Sequence, residues 1–409
     1  MKKSFNALHM AEQQIANLDV QLLKRKLRIT QTPCDTTAIV DQRELKAFCS
    51  NDYLGLANHQ LLVRALGEGA EQYGVGSGAS HLISGHSIAH DLLEKKLASF
   101  QSAHIPDARA LFFSTGYLAN LTAITGLARL AEQGGASIYS AKLNHASIID
   151  GVRLASAQSK AAVTLFDHQQ LDLLIESLKS DSHPLKIIVL DGVFSMDGDL
   201  APIKELVQIA NDYDALLLVD DAHGFGVLGK HGHGILEMFA IHSERIIYIG
   251  TLGKAAGVSG AFICAPSIFI EWLIQKGRPY IYSTATPPAI AYTLLQSLEI
   301  IEGDEGVTRR HQLNRLIEIW HKEMNFSCWE KVVSFTPIQP VILGSNASAL
   351  AAAKLLDEAG YWIPAIRPPT VPAGSARLRI TFSANHSIED LRELIATLKI
   401  IEQKVESEE

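Results

Sequence analysis

The chain has 409 residues, with 36 Lys and Arg against 44 Asp and Glu, a formal net charge of -8. That balance argues against nucleic acid as the main partner. Hydrophobic residues make up 47% and charged residues 20%, a globular composition in a chain long enough for two or more domains, and no apolar run reaches the length of a membrane span.

Residues 1–30 read as a helical arm, because Leu18, Leu22, Leu23 and Leu27 recur at helix-like spacing among Lys and Arg. The start, MKKSFNALHMAEQQ, is basic but has no apolar h-region, so it does not read as a secretory signal. A short strand at 45–49 precedes the turn-rich SNDYLGL. Residues 74–87, GVGSGASHLISGHS, lack the GKS or GKT ending of a P-loop, and no apolar strand precedes them as a dinucleotide fingerprint requires. They read as a tightly turning loop near a ligand, with a plain surface loop as the alternative.

From residue 90 helix and strand alternate. Helices are expected at 90–100, 116–130, 145–157, 171–178 and 202–212, the last with proline in its first turn. Strands are expected at 110–113, 137–139, 162–166, 186–190, 215–219, 245–249 and 260–264. Apolar runs such as KIIVL and ALLLV with helices between them imply an α/β fold, its mostly parallel sheet covered on both faces. After about residue 285 the pattern becomes that of a smaller α+β region. It has a helix at 288–301, a strand at 337–343, a helix at 348–359, strands at 362–367 and 377–381, and a helix at 388–403 before a frayed tail, KVESEE. Cys34, Cys49, Cys264 and Cys328 are far apart, with neither CxxC nor zinc spacing, so reduced thiols of a cytosolic protein and no metal site are expected.

In a parallel sheet, ligands gather at the carboxyl ends of the strands. Four polar clusters fall there: Ser114-Thr115-Gly116-Tyr117, the DGVFSMDG of 191–198, Asp220-Asp221-Ala222-His223-Gly224, and Gly250-Thr251-Leu252-Gly253-Lys254. A lysine among small residues suits an amine that must meet a flat cofactor, and a turn lysine is the other reading. A helix cap or a metal ligand pair is the lesser reading of the Asp pair, and His145 alone reads as a packing residue. Together the clusters meet the demands of pyridoxal phosphate. These are an amine for a Schiff base, an acid beside the pyridine nitrogen, and a helix N-terminus for the phosphate.

VDDAHGFGVLG and TLGKAAGVSG, with NDYLGL, NHASIIDG and DGVFSMDGDLAPI, resemble the α-oxoamine synthases, a family of fold-type-I pyridoxal-phosphate enzymes. The resemblance runs from about residue 17 to the C-terminus. It implies a transferase with a large domain built on a mostly parallel seven-stranded sheet and a smaller C-terminal α+β domain. The divisions expected are an arm and short strand at 1–45, the cofactor domain at 46–287 and the C-terminal domain at 288–409. It further implies Lys254 as the Schiff-base lysine, Asp220 at the pyridine nitrogen, and His223 and Ser195 at the phenolic oxygen. His145 would stack on the ring, and Gly116, Tyr117 and Thr251 would hold the phosphate. Thr284 would be lent to the other subunit of a homodimer. Arg379 resembles the arginine that binds the amino-acid carboxylate, a task suited to its bidentate fork.

Within the family, AIRPPTVPAGSARLRIT at 365–381 is most similar to members that condense L-alanine with a pimeloyl thioester, on coenzyme A or an acyl carrier protein. Thr370 and Arg25 match substrate-contacting positions there, although Arg25, between Lys24 and Lys26, also reads as part of a solvated charge face. Sister synthases making 5-aminolevulinate or 2-amino-3-oxobutyrate, and a non-catalytic cofactor-binding regulatory module, are the alternatives. Two residues depart from the family pattern: Ala256, where an aromatic residue is common, and Ala141, where Asp is common.

Overall fold

A computed structural model describes residues 6–408. They form two compact units, one from residues 51–313 and one from the described parts of 1–50 and 314–409.

The larger unit is built on seven strands: β1 (Ala108–Phe113), β2 (Ala136–Ala141), β3 (Ala162–Phe166), β4 (Leu185–Asp191), β5 (Ala215–Asp220), β6 (Ile246–Thr251) and β7 (Ala261–Pro266). They lie in the order β1-β7-β6-β5-β4-β2-β3. Every pairing is parallel except those of β7, which runs antiparallel to β1 and β6. Strands β2, β5 and β7 are buried at every position, as a sheet covered on both faces requires. Helices Gly116–Leu127 and Ala146–Ser159 lay Ile124, Leu127, Ile148 and Val152 on Ile138, Ile187, Leu218 and Ile247 of the sheet. Burying each such side chain stabilises the fold by about 1.5–3 kcal/mol.

Register decides what the sheet delivers. On β4 and β5 Asp191 lies opposite Asp220, and Asp220 lies opposite Ile249 on β6. Two carboxylates therefore emerge side by side at the strands' carboxyl ends.

The helices that were not expected include Gln60–Tyr73, Ser267–Lys276 and Asp304–Glu323. The first receives helix Pro288–Glu302, which also packs on helix Ile88–Gln101. The approach is close, since a Cβ on Gly69 would stand 3.0 Å from Ala289 Cα. Helix Pro288–Glu302 thus lies in the larger unit, which runs to residue 313. The larger unit buries Leu294, Leu298 and Ile301 of that helix.

In the smaller unit the N-terminal helix spans Asn6–Val20 and buries none of its residues. It does not run to residue 30, because Leu22 takes a left-handed φ of 57° and Leu27 is fully exposed. Strands Thr37–Val40 and Arg43–Ala47 form a hairpin whose turn residues, Asp41 and Gln42, both have positive φ. Tyr361–Trp362 joins that hairpin in parallel. A second, antiparallel sheet has the order Glu330–Lys331, Ile338–Gly344, Ala376–Thr381, Ala365–Ile366. The single strand expected at 362–367 is thus divided between two sheets, with Pro364, which has no N–H for a ladder, at the break. The last helix, Ile388–Glu408, continues through the tail expected to fray. Among the described residues no helix is long and apolar enough to cross a membrane.

Candidate active site

Lys254 stands three residues beyond β6 in a tight turn, where Gly257 N–H donates to the Lys254 carbonyl at 2.9 Å. Gly257 has a φ of +68°, and a Cβ there would lie 2.5 Å from the carbonyl carbon of Leu56. Ser297 Oγ donates to the carbonyl of the fully buried Ala256 at 2.7 Å. Small residues around the lysine thus serve backbone packing. The amine itself lies 2.8 Å from His223 Nε2.

Asp220 is 4% exposed at the end of β5. Its Oδ2 accepts from Asn120 Nδ2 at 2.5 Å and its Oδ1 from Ala222 N–H at 3.0 Å. The same Asn120 nitrogen reaches Ser147 Oγ at 2.9 Å, and Ser147 Oγ lies 2.7 Å from His145 Nδ1. His145 caps helix Ala146–Ser159, with Nδ1 accepting from Ser147 N–H. Its own N–H donates to Asp191 Oδ2 at 2.7 Å. Burial holds the His145 pKa below the usual histidine value, against the pull of Asp220, so the ring faces the site neutral. Burial first, and the Asp220 charge second, push the Asp191 carboxyl well above the usual carboxylate range.

The two members of the Asp pair divide their work. Asp221 is fully buried, and its Oδ2 accepts from Tyr248 OH at 2.8 Å and Ile235 N–H at 2.7 Å. It fastens the loop after β5. Burial raises the Asp221 pKa to about 7.

The helix opening at Gly116 is capped by Thr115, whose hydroxyl accepts from Leu118 N–H at 3.2 Å. Helix geometry leaves the N–H groups of Gly116 and Tyr117 without intrahelical acceptors. A Cβ on Gly116 would stand 2.9 Å from Thr251 Oγ1, so the helix start and the end of β6 form one small cradle. Tyr117 is largely exposed, and its hydroxyl donates to Asp150.

Ser195 is half-buried in the turn after β4. Exposed Thr284 pairs in a β-bridge with Ser80, so the 74–87 loop adjoins the segment carrying Thr284. In the smaller unit, Arg25 Nη2 donates to Thr370 Oγ1 at 3.4 Å across a pocket of about 250 Å³. Arg379 is 6% exposed on strand Ala376–Thr381. Nitrogens of His81, His86 and His90 lie within 4.8 Å of one another. His90 already accepts from Ser87 N–H and donates to the Thr286 carbonyl, and His81 Nδ1 is 2.9 Å from His86 Nδ1.

Sequence reasoning missed Asn120, Ser147 and Tyr53. A signal for the first was present, since an asparagine in the apolar helix GYLANLTAITGL is buried only with a partner.

The residues fit pyridoxal phosphate. Asn120 Oδ1 is buried without a hydrogen-bond partner beside Asp220, and the Gly116–Thr251 cradle has no room for a side chain at Gly116. The sheet order and the lysine after β6 define a fold-type-I pyridoxal-phosphate transferase. The aminotransferase class I and II family matches residues 44–398. An 8-amino-7-oxononanoate synthase of Janthinobacterium sp. (strain Marseille) is 52% identical over 393 residues, covering 96% of this chain and 98% of its own. A high-resolution structure of SPT with PLP superimposes with a TM-score of 0.87 at 25% identity, covering 99% of each chain. An 8-amino-7-oxononanoate synthase structure from Francisella tularensis gives a TM-score of 0.72 at 31% identity, over 89% of this chain and 98% of that one. The chain belongs to the aminotransferase class I and II family, and within it to the α-oxoamine synthases of which these relatives are members.

Proposed function

We propose that the chain is an 8-amino-7-oxononanoate synthase of biotin biosynthesis. It condenses L-alanine with a pimeloyl thioester of coenzyme A or acyl carrier protein, releasing carbon dioxide and the thiol. The observation that carries the reading is the Lys254 amine, 2.8 Å from His223 and in one unit with buried Asp220. The substrates follow the 52%-identical relative's name and the 365–381 stretch.

Pyridoxal phosphate, when bound, draws electrons from the amino acid's α-carbon. Lys254 holds the cofactor and moves the proton at that carbon. Asp220, fixed by Asn120, keeps the pyridine nitrogen protonated. Neutral His145 would stack on the ring, and His223 and Ser195 would hydrogen-bond the phenolic oxygen. Gly116 and Tyr117 N–H groups and Thr251 would hold the phosphate. Arg379 binds the alanine carboxylate, with Arg25 and Thr370 as further substrate contacts.

The enzyme is a cytoplasmic homodimer whose second copy supplies Thr284 to the phosphate. Val75, Ile83 and Tyr282, at 82%, 79% and 71% exposure, flank the Ser80–Thr284 bridge and support such an interface.

The test is a product assay with L-alanine, glycine and L-serine against pimeloyl-coenzyme A and pimeloyl-carrier protein. 8-Amino-7-oxononanoate from alanine is expected. Turnover confined to glycine or serine would assign a sister synthase instead.

A further inference from the structure

The motif NDYLGL contains a residue to which the reading above gives no task. Tyr53 is fully buried, and its hydroxyl lies 2.6 Å from His223 Nδ1 and donates to Asn51 Oδ1 at 3.1 Å. The opposite nitrogen of the same imidazole, Nε2, lies 2.8 Å from Lys254 Nζ. Asn51, Tyr53, His223 and Lys254 thus form one hydrogen-bonded row through the ring.

The two nitrogens of a neutral imidazole are linked, because the one that carries the proton fixes the role of the other. A tyrosine hydroxyl both donates and accepts, so it serves either tautomer. With its hydrogen on Asn51 Oδ1, Tyr53 accepts from an Nδ1–H. His223 Nε2 is then a lone pair facing the Lys254 ammonium. With the hydroxyl turned toward Nδ1, Nε2 carries the proton and becomes a donor, the role a phenolic oxygen in front of it calls for.

We propose that Tyr53 is a positioning residue that holds His223 in the tautomer selected by the group facing Nε2. In the cofactor-free chain it accepts from Nδ1–H and so keeps Nε2 the acceptor for Lys254, and in the loaded chain it donates to Nδ1 and so keeps Nε2 the donor to the cofactor's phenolic oxygen. Only the second half rests on the function proposed above.

Histidine-selective ¹⁵N NMR of the full cofactor-free chain, with His223 assigned by His223→Gln, reads the tautomer directly. The expected result is a protonated Nδ1 with Nε2 as the lone pair, and a mixture of tautomers in Tyr53→Phe, which removes only the hydroxyl. In the loaded protein, the pH midpoint of the cofactor's visible absorbance should move by about half to one pH unit in Tyr53→Phe, the size of one lost hydrogen bond. A single Nε2–H tautomer in the unmodified cofactor-free chain overturns the proposal, and that measurement decides even if Tyr53→Phe does not fold. An unchanged tautomer and an unchanged midpoint in a folded Tyr53→Phe overturn it too. Failure to take up pyridoxal phosphate overturns the loaded half and the proposed function together, while the cofactor-free spectrum still decides the first half.

Discussion

Asn120 Nδ2 donates to Asp220 Oδ2 at 2.5 Å, and the two residues are 100 positions apart in the chain. A largely apolar helix thus supplies the partner that orients the buried carboxylate at the end of β5. A hydrogen bond to a charged group contributes about 1.5–3 kcal/mol. Asn120→Leu should therefore weaken pyridoxal phosphate binding by about 10- to 100-fold. Absorbance titration of the cofactor-free chain checks this, and unchanged affinity would count against the role of Asp220.

Lys254→Ala should reduce turnover to background and remove the visible absorbance of the covalently held cofactor. Reversible cofactor binding through Gly116, Tyr117 and Thr251 should persist. Retention of both turnover and the absorbance band would refute the assignment of Lys254.

Gly116→Ala should lower cofactor affinity, because its Cβ would press on Thr251 Oγ1 at 2.9 Å. Combining it with Thr251→Ala should relieve the clash without restoring affinity, since the hydroxyl is then missing. Affinities of the two single variants and the double variant, compared as a cycle, separate crowding from the lost donor.

Gly257→Ala should lower stability by about 1–3 kcal/mol, combining a strained φ with overpacking against Leu56. A melting temperature lower by several degrees is expected. An unchanged melting temperature would show that the lysine turn tolerates a side chain there.

Asp221 gives a pH dependence with a definite sign. Its pKa rises from 3.8 to about 7 on folding, chiefly through burial. Between those values the folded chain holds a proton that the unfolded chain has released. The contribution is fully present below pH 3.8 and is lost as pH rises through about 7. Asp221→Asn keeps an acceptor for Tyr248 and Ile235 and should flatten this part of the profile. Thermal melts of both proteins across the window test it, and parallel profiles would contradict it.

Much of the site was legible because its residues cluster in local motifs. Lys254, Asp220, His223, His145 and Gly116 each sit where an apolar strand or a helix meets a polar turn, and such junctions show in sequence. Tyr53 and Asn120 were harder to read. Tyr53 lies in a turn and faces a histidine 170 positions away, and Asn120 is one polar residue in an apolar helix. The division of labour between Asp220 and Asp221 was only half visible, since both follow the same strand.

By itself the sequence determined the alternation of apolar strands and helices, hence a covered parallel sheet, and the residue types of a pyridoxal-phosphate site. The first follows from short-range periodicity and the second from polar motifs at the strand ends and the family they resemble. Tertiary structure decided which strands are neighbours, and so that Asp191 stands beside Asp220 and that Asn120 reaches both Asp220 and Ser147. It also decided that helix Pro288–Glu302 joins the larger unit. Those outcomes depend on contacts between residues distant in sequence, whose pairing is fixed by packing and by the need to satisfy buried polar groups, and no local window of residues records them.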